Sequence, residues 1–119
     1  MQPDILMIED EPNIAEAVRF ILSRDGWRVD LHGDGAGGVE AIAGRRHRLV
    51  FVDLMLPNRS GAEILLDLRA APDAALAATP VLMLTARGEA AAADQADAVL
   101  AKPFDNEELR ALVRRLIHG

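Results

Sequence analysis

The stretch "LVFVDLMLPNRSG", residues 49–61, decides how this chain folds. Four apolar residues, Leu49 to Val52, run without alternation into a single acid, Asp53, and then into a loop containing Pro57 and Gly61. A short unbroken apolar run bounded by turn residues reads as a strand buried on both faces, as in parallel sheets covered by helices. Three further runs have the same character: "DILMI" (4–8), "VLML" (81–84) and "AVL" (98–100). "RVDLH" (28–32) alternates instead, as an edge strand does.

Helix-period segments lie between these runs. Residues 13–26 place Ile14, Ala17, Val18, Ile21 and Leu22 on one face, with Gly26 as the C-terminal stop. "AGGVEAIAG" (36–44) is a short helix weakened by glycine, and residues 61–71 form a helix with Ile64, Leu65 and Leu68 inward. The last helix, 105–119, opens on a capping pair, Asp105 and Glu108, and turns Leu109, Leu112, Val113 and Leu116 to one side. Arg114, Arg115 and His118 stand near its C-terminus, where the helix dipole favours positive charge. Two alanine-rich stretches, 70–80 and 86–97, read as loose. Strands alternating with helices give an α/β protein with a five-stranded parallel sheet, doubly wound, in a single domain over 1–119.

Composition narrows the function. Half of the 119 residues are apolar and few are aromatic, so the core is aliphatic. A net charge of −6 argues against a nucleic-acid binder, which needs a basic face for phosphates. Without cysteine there is neither a disulfide framework nor a thiolate metal site. The early run "ILMI" is too short for a signal sequence or membrane span, which points to a cytoplasmic protein.

Ligands of open α/β sheets bind at the carboxyl ends of the strands, and chemistry-bearing residues gather there. Glu9, Asp10 and Glu11 follow the first strand, Asp53 follows "LVFV", Thr85 follows "VLML", and Lys102-Pro103 follows "AVL". Singly, each is an ordinary cap or surface residue. Together they set several carboxylates, a hydroxyl and an amine along one edge. Crowded carboxylates repel one another unless a cation neutralises them, and oxygen-only ligands favour Mg2+ over zinc. Magnesium, a carboxylate nucleophile, a hydroxyl and an ammonium suit phosphoryl transfer.

The segments "ILMIEDEP", "VFVDLMLPNRSG", "VLMLTA" and "AKPF" resemble the motifs of bacterial response-regulator receiver domains, in the same order and over nearly the whole chain. The resemblance implies a flavodoxin-like fold with strand order 2-1-3-4-5 and a two-component phosphorelay function. By position, Asp53 is similar to the phosphoacceptor. Glu9 and Asp10 are similar to the acidic pair that holds magnesium, Asp10 as a direct ligand and Glu9 directly or through water. The resemblance adds the backbone carbonyl of Met55 to the metal set. It makes Thr85 and the amide of Ala86 phosphate-binding groups, Lys102 the catalytic lysine, and Pro103 a cis-proline. The implied partners are a sensor histidine kinase or histidine phosphotransfer protein and an output protein or effector domain, with no nucleic acid or membrane bound. The implied catalysis is confined to the chain's own phosphoryl transfer and dephosphorylation.

Two features depart from the family pattern. Thr85 and Lys102 are closer in sequence than is usual for the family, leaving about six residues for the fourth helix within 87–98. That helix is therefore expected to be shortened or disordered. Val99 stands where the family usually carries the Tyr or Phe that follows the threonine as a switch. Three other readings compete. Gly33, Gly35 and Gly38 match G-x-G-x-x-G, but they follow the second strand rather than the first, so the dinucleotide match is a coincidence. A haloacid-dehalogenase-like phosphatase needs an acid two residues past its nucleophile, where Met55 stands. A receiver-fold interaction module that is not phosphorylated is the remaining alternative.

Overall fold

A computed structural model of the chain describes residues 4–33, 42, 47–56, 60–85, 96–102 and 104–118. The elements run β1 (Ile5–Ile8), α1 (Pro12–Arg24), β2 (Val29–His32), β3 (Leu49–Asp53), α2 (Gly61–Arg69), α3 (Ala74–Ala77), β4 (Val81–Thr85), β5 (Ala98–Ala101) and α4 (Asn106–His118). All strands pair in parallel in the order β2-β1-β3-β4-β5, the expected arrangement. Ile5 stands opposite both Val29 and Leu49, and Asp53 opposite Leu84, so the strands end together at one edge.

The two-residue side-chain period of a strand splits the core into two layers. Ile5, Met7, Phe51, Leu82, Leu84 and Leu100 face one way and pack with Val18 and Leu22 of α1 and Leu109 and Val113 of α4. Leu6, Ile8, Val50, Val52 and Met83 face the other way and pack with Ile64, Leu65 and Leu68 of α2, and with Ile42. In α1 it is Ala15, not Ala17, that turns to the sheet, because positions 15, 18 and 22 share a stripe. Gly26 takes φ +94°, the left-handed conformation that ends α1, and its N–H bonds the Ser23 carbonyl at 3.0 Å.

The stretch read as loose over 70–80 instead holds the single turn α3. Asp73 caps it, its carboxylate accepting from the Ala75 and Leu76 N–H groups. Arg69 then binds that turn to the sheet. Its guanidinium donates to the Ala77 and Thr79 carbonyls, each at 2.8 Å, and to Asp97 at 2.9 Å. Asp97 also accepts from the Val81 N–H at 2.7 Å, so one carboxylate pins the start of β4 to the residue entering β5. The helix expected over 36–44 lies outside the described residues except for Ile42, which is helical and buried. Outside them too lie Pro57, Ala86, Pro103 and nearly all of the segment assigned to the fourth helix.

Helices α1 and α4 are joined at their solvent edge by a paired contact. Arg110 donates from Nε and from one terminal nitrogen to the two Asp25 carboxylate oxygens, at 2.9 and 2.7 Å. Those bonds hold Asp25 below the usual carboxylate range; burial opposes them, and the charges of Arg110 and Arg114 add smaller contributions in their favour. A carboxylate depressed in the folded state stabilises the protein above its unfolded pKa, and loses that contribution as pH falls through the folded value. Arg110→Gln should therefore lower the urea midpoint at neutral pH, and the gap from wild type should close below about pH 4. A gap that persists undiminished into strong acid would show that the contact acts through packing rather than charge.

Candidate functional site

Three acids meet where β1 and β3 end. Glu9, Asp10 and Asp53 each present a carboxylate oxygen within 4.8 Å of the others, with Glu9 and Asp53 buried and Asp10 exposed. Backbone pairing fixes them. The Glu9 N–H bonds the His32 carbonyl at 3.1 Å, carrying the β1–β2 ladder one residue further, and the Leu54 N–H bonds the Leu84 carbonyl at 2.9 Å. Glu11, also part of the acidic run, instead occupies the N-cap position of α1 in solvent.

Lys102 reaches this cluster from beyond β5. Its Nζ lies 2.8 Å from Asp53 Oδ2 and 3.7 Å from Glu9 Oε1. Asp53 Oδ1 accepts the Met55 N–H at 3.0 Å, so both acceptor oxygens have donors. Glu9 Oε2 accepts the Asp10 N–H at 3.0 Å, whereas its Oε1 is buried and has no hydrogen bond. Thr85, buried, closes β4 one residue past the partner of Asp53. The Thr85 carbonyl accepts the Lys102 N–H at 2.8 Å, which locks the lysine's backbone beside it.

The electrostatics fit a missing positive charge. Burial, with the neighbouring Asp53 carboxylate, pushes the Glu9 carboxyl up to about 8, against a smaller pull from Lys102. Burial works against the Lys102 ammonium, but the hydrogen bond and charge of Asp53, with Glu9 and Asp10 beyond, outweigh it and raise its pKa. A buried carboxylate oxygen without a donor, beside two other carboxylates, is a donor set for a hard divalent cation. The ensemble can hold such a cation and present a carboxylate beside an ammonium and a hydroxyl.

The structure thus brings together Glu9, Asp10, Asp53 and Lys102, with Thr85 on the adjoining strand. Val99 lies one strand over, half-buried in the layer of Met83 and Leu56. Ala86 and Pro103 fall outside the described residues. Sequence reasoning missed what holds the loop after Asp53. Ser60 and Glu63 form a reciprocal capping box at the start of α2, legible in retrospect as S-x-x-E before an apolar run. The box seats Gly61 against the backbone of Asp53 and Leu54: its N–H bonds the Leu54 carbonyl at 2.9 Å, and a Cβ there would collide with the Asp53 carbonyl.

Residues 5–114 match the family model of the response regulator receiver domain, and the chain belongs to that family. It is a phosphoacceptor module of two-component signalling. Response regulator ArlR of Staphylococcus epidermidis is 35% identical over 119 residues, which cover 96% of this chain and 52% of that protein. Transcriptional regulatory protein DltR of Streptococcus agalactiae is 39% identical over 115 residues, 92% of this chain and 50% of that protein. The chain spans about half the length of these curated relatives. The receiver domain of a Pseudomonas aeruginosa sensor histidine kinase, solved with magnesium in its active-site cleft, superposes with a TM-score of 0.89 at 28% identity, over 100% of both chains. The receiver domain of a Syntrophus aciditrophicus histidine kinase gives 0.87 at 28% identity, over 98% of this chain and 91% of that one.

Two outcomes follow from the site's geometry. Gly61→Ala forces backbone apart at Asp53, and should cost about 2–3 kcal/mol in chemical denaturation. A loss below that range would mean the loop yields easily. Cation binding must displace the proton that burial keeps on Glu9, so magnesium affinity should rise by up to about tenfold per pH unit below the Glu9 pKa. Calorimetry at pH values either side of 8 tests this, and an affinity indifferent to pH would mean that Glu9 is already ionised or takes no part in binding.

Proposed function

We propose that Asp53 is the phosphoacceptor of this receiver domain, in a magnesium-dependent reaction with a phosphohistidine on a sensor kinase or phosphotransfer protein. One observation carries the assignment: the Lys102 ammonium sits 2.8 Å from Asp53 Oδ2 within a cluster of three carboxylates. A carboxylate oxygen of Asp53 attacks phosphorus, the bond from phosphorus to the donor's nitrogen breaks, and the donor leaves with the electron pair. Lys102 offsets charge on the phosphoryl oxygens, and the Thr85 hydroxyl and Ala86 amide donate to them. Glu9, Asp10, Asp53 and the Met55 carbonyl are the groups to hold magnesium, which when bound neutralises the carboxylates and the phosphoryl group. The reading extends to self-dephosphorylation by water, to an output protein or effector domain as the recipient of the signal, and to a cytoplasmic setting. Among the described residues, no helix is long and apolar enough to cross a membrane. Residues 1–119 form one receiver domain in this reading. The intact Lys102–Asp53 pair weighs against an interaction module that has given up phosphate.

Mass spectrometry after incubation with magnesium and acetyl phosphate tests the assignment. One phosphoryl group should appear on wild type, none on Asp53→Asn, and none on wild type in EDTA. Equal uptake by the Asn variant would move the acceptor elsewhere.

A further inference from the structure

Met55 carries its side chain 66% exposed, two residues past the acceptor, while its backbone N–H holds Asp53 Oδ1 at 3.0 Å. The other methionines among the described residues, Met7 and Met83, are sealed in the sheet at 1% and 0% exposure. The chain has no cysteine, so no thiol competes for an oxidant. A thioether reacts where an oxidant can reach it, and the product is a polar, chiral sulfoxide. We propose that Met55 is a redox modification site, oxidised by hydroperoxides, and that its sulfoxide shortens the life of the phosphoryl group on Asp53.

The chemistry is a two-electron transfer. A sulfur lone pair attacks one oxygen of hydrogen peroxide, the O–O bond breaks, and the departing hydroxide takes the remaining proton to leave as water. Sulfur gains the oxygen and is oxidised; the peroxide is reduced. The thioether, two residues past Asp53, is apolar and a poor acceptor, so it offers an approaching water no partner. The sulfoxide oxygen accepts hydrogen bonds and can hold a water beside the acyl phosphate. That water attacks phosphorus, the bond from phosphorus to the Asp53 oxygen breaks, and inorganic phosphate departs while the carboxylate is regenerated. The consequence for lifetime rests on Asp53 being the acceptor, whereas the modification itself does not.

Two measurements decide the matter. Peptide mapping after graded hydrogen peroxide should show sulfoxide at Met55 well before Met7 or Met83; equal rates at the buried pair, or an unmodified Met55, would overturn the site. Phosphate loss from acetyl-phosphate-loaded protein should then quicken about fivefold after oxidation, the rate equivalent of one ordinary hydrogen bond. Methionine sulfoxide reductase should restore the original rate. Met55→Leu, whatever its own starting lifetime, should not respond to peroxide. An unchanged lifetime in oxidised wild type, or the same acceleration in the Leu variant, overturns the regulatory role. Failure of untreated wild type to take phosphate at Asp53 overturns the acceptor assignment and that role with it, while the peptide map still decides the modification.

Discussion

The contact on which the site depends is the one between Lys102 Nζ and Asp53 Oδ2, at 2.8 Å. These residues belong to strands that do not touch: β3 carries the acid, the lysine follows β5, and β4 lies between. The lysine must therefore reach over the end of β4, where Thr85 stands. Three carboxylates within 4.8 Å of one another would otherwise face mutual repulsion, least screened between the buried Glu9 and Asp53. Lys102 relieves part of that charge, and Glu9 answers burial and the Asp53 carboxylate with a raised pKa, holding a proton where a cation could take its place. Electrostatic incompleteness of this kind suits a site that must accept a metal and an anion together.

The placement of Asp53 comes from backbone more than from side chains. Asp53 is held through the β3–β4 ladder below it, through the Met55 N–H above it, and through the Gly61 approach behind it. Only a residue without a Cβ can stand at that approach, and the Ser60–Glu63 box sets the angle at which α2 delivers it. At the far edge, Arg69 and Asp97 play a similar part, fastening the starts of β4 and β5 to α2 and α3. The sheet is thus clamped at both ends of its strands, with the reactive groups at the carboxyl edge.

Much of this was legible in the residues, for physical reasons. A strand buried on both faces has no polar face to interrupt it, so "ILMI", "LVFV" and "VLML" declared themselves, and alternation marked β2 as an edge. Strand order was not visible in periodicity; it came from the motif resemblance. The turn α3 escaped because four residues in an alanine-rich stretch, none of them buried, carry no amphipathic signal, and its cap Asp73 looked like a loop residue. Ala17 and Ala15 differ by 200° around a helix of 3.6 residues per turn, yet an alanine has too little apolar surface to declare which side it takes. The close approach at Gly61 depends on a distance between α2 and β3, which no local pattern records.

The departure at Val99 acquires a physical meaning from the register. Val99 pairs with Met83, and Ala101 pairs with Thr85, so β5 offers Thr85 only a methyl group as its direct neighbour. A β-branched valine has one stiff torsion and cannot sweep between inward and outward positions as a long aromatic side chain can. The link from Thr85 to the neighbouring strand is instead backbone: its pairing with Ala101 and the Lys102 N–H bond to its carbonyl, at 2.8 Å. Lys102 is itself the residue whose side chain meets Asp53. Asp53 and Thr85 thus meet the end of β5 at one residue, the first at its ammonium and the second at its backbone. On this arrangement Lys102 is the residue that touches both the carboxylate cluster, through its ammonium, and the end of β4, through its backbone.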